Sequence, residues 1–105
     1  MDTGLHSKSV LKLNVGGKEF MTTLGTLRSD QNSMLAKMFS SEANESFPAN
    51  RDANGAFFID SCPKYFGVIL NFLRRGKLET GANIDLQFLR IEAIHFGIVG
   101  KMNIT

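Results

Sequence analysis

VLKLNVGGKEFMTT, residues 10–23, is the stretch on which the fold turns. Leu11, Leu13 and Val15 alternate with Lys12 and Asn14, the period of two expected of a half-buried strand. Gly16-Gly17 supplies two residues that tolerate positive φ, as a tight hairpin turn requires. Lys18–Thr23, with Phe20 and the β-branched Thr22 and Thr23, is the returning strand. A Gly-Gly pair after a strand also raises a phosphate loop, but the spaced glycines and the Lys-Ser/Thr of that motif are missing. The stretch predicts a β-hairpin.

Outward from the hairpin the pattern changes to helical. Met34, Leu35, Met38 and Phe39 form a helical stripe over 33–39, with Asn32 or Ser33 as N-cap. Residues 40–55 are polar and turn-rich, a long irregular connection of the kind that often carries function. Residues 56–60 read as a short strand, apolar enough to be buried on both sides. Pro63–Arg75 is the clearest helix, opened by Pro63 and closed by Gly76. Its stripes Phe66, Ile69, Leu70, Leu73 and Tyr65, Val68, Phe72 predict burial on most sides. Asp85 caps a last helix over 86–96, with Leu86, Leu89, Ala93 and Phe96 as its core stripe and Gly97 as its stop. Upstream, residues 1–8 are polar and aperiodic and read as a flexible leader. The order is hairpin, helix, loop, strand, two helices: an α+β fold in one domain over 9–105.

Composition agrees and excludes several classes. The 105 residues are 43% apolar, with nine Phe, one Tyr and no Trp, which suits one folded core and not disorder. A net charge of +2 gives no electrostatic case for nucleic acid or an anionic membrane as partner. No apolar run approaches the ~20 residues of a membrane-spanning helix, and no secretory h-region precedes the domain. Cytoplasm or nucleus is the expected location.

Catalytic and metal chemistry is poorly supplied. One cysteine, Cys62, permits neither an internal disulfide nor a multi-cysteine zinc site. Cys62 stands at a helix start, where a thiol can be activated, yet no His or second Cys is near it in sequence. His6 and His95 are far apart. Glu42 and Glu45 are spaced for paired-carboxylate chemistry, but a solvated loop accounts for them. Arg74-Arg75-Gly76-Lys77 at a helix C-terminus complements the exposed carbonyls, so a structural role suffices. No enzyme signature is present, and no cofactor or metal is expected. Phe39 and Phe47, flanking the polar loop, read as partner-facing aromatics.

Four stretches, taken together, resemble one family. Residues 11–20 match its LNVGG…F hairpin, followed by Thr26-Leu27; 30–39 match its DSMLA.MF segment; 55–78 match GA.FIDRDP..F..ILN.LR.G.L; and 92–98 match EA.FYGI. The chain is similar to the potassium-channel-tetramerisation type of BTB/POZ domain found in KCTD proteins. The resemblance implies a BTB/POZ fold with a small three-stranded sheet and packed helices. It implies self-association into a closed ring, a pentamer being favoured over a tetramer, as a platform for the cullin-3 ubiquitin ligase. The alternative is an assembly domain that sets the stoichiometry of a channel or scaffold without ligase binding. Lys12, Asn14, Asp60, Arg74 and Arg75 are the expected assembly residues; Met38, Phe39, Glu42, Glu45, Phe47 and His95 are the expected docking residues. The sequence departs from the family where Asp60-Ser61-Cys62-Pro63 stands for DRDP and His95 for an aromatic. The several Cys and His of an interfacial zinc site are missing.

Overall fold

A computed structural model describes residues 8–39, 51–98 and 102. The predicted hairpin is present: β1 (Val10–Val15) and β2 (Lys18–Thr23) pair antiparallel with Leu13 opposite Phe20. Gly16 and Gly17 both have positive φ, 56° and 102°, the sign a two-residue turn needs to match the strand twist. A third strand, β3 (Phe57–Ile59), joins β1 in parallel, so the sheet runs β2-β1-β3. β3 is exposed on one face, however: Phe58 lies opposite Asn14 and is 39% exposed. The expectation of burial on both sides fails because, among the described residues, no layer covers this face of the sheet.

Four helices accompany the sheet among the described residues. α1 (Leu24–Leu27) was not legible in the sequence, being one turn long. The Thr23 side chain accepts from the Thr26 N–H, and Leu24 and Leu27 are buried. α2 (Met34–Met38) takes Ser33 as its N-cap. The fully buried Ser33 hydroxyl accepts from the Ala36 N–H at 3.0 Å and donates to the Asp30 carbonyl at 2.7 Å. α3 (Pro63–Arg75) has the predicted bounds, with Pro63 in the first turn and Gly76 closing it in the left-handed region.

α4 (Leu86–His95) is capped as expected, Asp85 Oδ1 accepting from the N–H groups of Gln87 and Phe88. Its core stripe is narrower than predicted. Leu89, Ala93 and the following Phe96 are buried, but Leu86 is 47% exposed. Leu86 sits on the first turn, and the buried stripe begins at Leu89.

The core lies between the inner sheet face and the helices. Leu11, Leu13 and Val15 of β1 share one buried cluster with Phe66, Ile69 and Leu70 of α3. Phe66 is the hub: its ring packs edge-on against Phe20 of β2 at 5.4 Å and Phe96 beyond α4 at 5.6 Å. Such contacts add about 0.5–1.5 kcal/mol each beyond burial. The Asp85 N–H donates to the Tyr65 hydroxyl at 3.1 Å, tying the start of α4 to α3.

Candidate functional site: two interaction surfaces

Among the described residues, two surfaces with exposed apolar side chains remain outside the core. The first is the outer face of the sheet. Leu11, Leu13 and Val15 point inward, so the pleat turns Val10, Lys12 and Asn14 outward. With them lie Met21 and Glu19 of β2 and Phe58 of β3. Val10 and Met21 are 63% and 54% exposed. Lys12 Nζ lies 3.8 Å from Glu19 Oε2, both side chains well solvated, so the pair adds little stability.

Asn14 is committed within its own chain. Its Nδ2 donates to Asp52 Oδ2 at 3.0 Å, and its Oδ1 accepts from the Gly17 N–H at 2.8 Å. Asp52 Oδ1 accepts in turn from the N–H groups of Asn54 and Ala56, both at 2.9 Å. The Asn14 amide first, then the Ala56 N–H, hold the Asp52 carboxyl below the usual aspartate range. A lowered folded value means that Asp52 supports the fold above the unfolded carboxyl value, and that this support is lost as pH falls through the folded one. Urea titrations below about pH 4 should therefore show a steeper acid loss for the wild-type chain than for Asp52→Asn. Equal slopes would show that the network does not act on stability.

The second surface is α4. Six of its ten residues are apolar, yet only Leu89 and Ala93 are buried. Phe88, Ile91 and Ile94 are 44%, 62% and 54% exposed. At 100° per residue Phe88, Ile91 and His95 follow one line along the helix, and Ile94 lies beside it. A cleft of about 200 Å³ opens at the edge of this face, lined by Asp60, Ser61, Ile91, Glu92 and His95. Ser61 Oγ donates to Glu92 Oε2 at 2.8 Å, joining the β3–α3 connection to α4. The His95 ring stands edge-on to Phe96 at 4.9 Å.

The expected residues divide between these surfaces. Lys12 and Asn14 lie on the sheet face, whereas Asp60 lies in the α4 cleft beside His95, so one assembly candidate and one docking candidate share a site. Arg75 is exposed at the end of α3. Arg74 is exposed but bonded within the chain, to the Met21 carbonyl and Asn71. Met38 is half-buried against the core. Glu42, Glu45 and Phe47 lie outside the described residues.

Phe39 is a correction. It is only 4% exposed, its ring packs edge-on against Phe57 at 5.2 Å, and its carbonyl accepts from Arg28 Nε at 2.7 Å. An aromatic that borders a polar loop in sequence has folded back into the core. Sequence reasoning also missed Phe88, Ile91 and Ile94. The signal available was a helix apolar on more sides than one core can cover.

Cys62 is half-buried at the N-cap of α3 and makes no capping hydrogen bond. Among the described residues, no group of three or more His, Cys, Asp or Glu is placed to hold a metal ion. No helix among them is long and apolar enough to cross a membrane.

A family model described as BTB/POZ domain matches residues 11–104. The human BTB/POZ domain-containing protein KCTD14 is 51% identical over 72 residues, 69% of this chain and 27% of that protein. Human KCTD17 is 50% identical over 88 residues, 84% of this chain and 27% of its own. Human KCTD5 is 35% identical over 95 residues, 90% of this chain and 40% of its own. The chain thus spans between about a quarter and two fifths of these relatives.

Proposed function

The chain belongs to the BTB/POZ family, and from that premise we propose that it is a protein-interaction domain that joins its own copies into a ring and docks cullin-3. The observation that carries this reading is the presence of two separate uncovered apolar surfaces on so small a domain. Isolated exposed apolar residues are ordinary, whereas clustered ones mark interaction sites. The sheet face sets Val10, Met21 and Phe58 around Lys12 and Asn14 of the central strand, a mixed apolar and polar surface suited to association. The α4 face, with Phe88, Ile91 and Ile94 beside His95, supplies a second.

Contact from the sheet face of one copy to a different patch of the next is head-to-tail, and it closes into a ring when its rotation allows, leaving the α4 face free. A pentamer is the proposed number, with Lys12, Asn14, Asp60 and Arg75 near the subunit contacts. Cullin-3 docking is assigned to the α4 face, where His95 replaces the family's usual aromatic and Ile91 and Ile94 supply apolar area. Joining copies raises the local concentration of docking faces and so the avidity of the assembly. Titration of purified cullin-3 N-terminal domain against the chain tests the docking half. Saturable binding at tens of micromolar supports it, and absence of binding there removes the ligase role while leaving assembly untouched.

A further inference from the structure

Among the described residues β2 is an edge strand of the sheet. The two-residue turn makes Val15–Lys18 a hydrogen-bonded pair, so Lys18, Phe20 and Thr22 direct their backbone groups to β1. Glu19 and Met21 turn theirs outward. Edge strands of this kind are open to pairing with another chain unless charges, prolines or bulges blunt them. Lys18 and Glu19 protect the first half of β2. The second half, FMTT over 20–23, has no charge and no proline, and its register with β1 is unbroken.

Arg74 reaches that unprotected half from α3. Its Nη2 donates to the Met21 carbonyl at 2.7 Å, and its Nη1 donates to Asn71 Oδ1 at 3.2 Å, which braces the guanidinium. The Met21 carbonyl points outward from the sheet, so it is the acceptor an added strand would use. Beside it lies a cleft of about 350 Å³ lined by Val10, Met21, Thr22, Thr23, Thr26 and Arg74.

We propose that the outer edge of β2 is a latent pairing surface for the same strand of a second copy, and that Arg74 keeps it closed. Two β2 strands laid antiparallel about Phe20 place Glu19 of one copy opposite Met21 of the other. In that register the outward N–H of each Glu19 meets the outward carbonyl of Met21, and no like charges face each other. The contact is isologous, so it pairs copies two by two and links the particles to which they belong. The Arg74 fork blocks it by occupying the Met21 carbonyl and placing a charge at the edge.

Light scattering on the whole chain tests the proposal. Arg74→Ala is expected to raise the mass at least twofold over the wild-type particle, increasingly with concentration. Adding Met21→Pro should restore the wild-type mass, because that residue's N–H faces away from β1 and proline there leaves the ladder intact. Wild-type mass for Arg74→Ala at every concentration would overturn the proposal. So would high-mass material that persists in the double variant, since that would trace to loss of folding and not to the edge.

Discussion

Gly16→Ala is expected to destabilise the domain by about 3 kcal/mol or more, lowering its melting temperature by roughly 12–24 °C for a chain of this size. Two costs combine at this position. Gly16 has φ of +56°, and a side chain in the left-handed region costs roughly 1–2 kcal/mol. A Cβ there would also lie 2.4 Å from the Ser61 carbonyl oxygen and 3.1 Å from Pro63 Cδ. Neither neighbour can move freely. Ser61 sits between β3 and α3, Pro63 opens α3, and the Gly16 N–H donates to the Ile59 carbonyl at 3.0 Å. The hairpin tip is thus wedged against the connection that carries Asp60 and Ser61 into the α4 cleft.

Gly17→Ala separates the two costs. Gly17 also has positive φ, but a Cβ there meets nothing within 4 Å, so only the backbone cost of about 1–2 kcal/mol remains. Thermal unfolding of both variants measures the difference. A Gly16→Ala loss no larger than that of Gly17→Ala would show that the wedge is not tight.

Ile91→Asp is expected to weaken cullin-3 docking by about 2 kcal/mol, roughly thirtyfold, while the fold survives. Ile91 is 62% exposed at the centre of the uncovered α4 face and lines the cleft with Asp60, Glu92 and His95. Because it buries little in its own chain, a surface substitution there costs about 0.5 kcal/mol of stability or less. In a docked complex the carboxylate would be taken out of water beside Glu92 and Asp60, which line the same cleft. Desolvation and like-charge repulsion then act together. Titration calorimetry with the cullin-3 N-terminal domain, alongside circular dichroism of the variant, gives the answer. Unchanged affinity in a folded Ile91→Asp chain would place docking elsewhere.

The parts of this structure that were legible in sequence are those fixed by local chemistry. The Gly16-Gly17 turn, the Ser33 and Asp85 caps, and the Pro63 and Gly76 ends of α3 each follow from what one residue does to its own backbone. α1 was not legible, because four residues that include Gly25 have no helical preference of their own. Leu24 and Leu27 become helical through burial and the Thr23 cap.

Legibility of the interaction surfaces was lower for a related reason. A helix apolar on several sides, such as α4, does not declare which stripe faces the core. Periodicity alone points Leu86 inward, whereas the fold uses Leu89, Ala93 and Phe96 and leaves Phe88, Ile91 and Ile94 out. Phe39 differs the other way, because the residues that follow it in sequence are polar while its neighbours in space are Phe57 and the rest of the core. The family pattern placed Asp60 and His95 among separate roles, and only the packing of α4 against the β3–α3 connection brings them into one cleft.

Self-association is the central claim, and the mass of the purified chain in solution tests it most directly. Multi-angle light scattering across a hundredfold dilution should give a single particle of five times 11.6 kDa. Four copies would favour the assembly-domain alternative over a pentameric platform. A particle of 11.6 kDa at every concentration would contradict the account, since the uncovered sheet face would then serve no contact between copies.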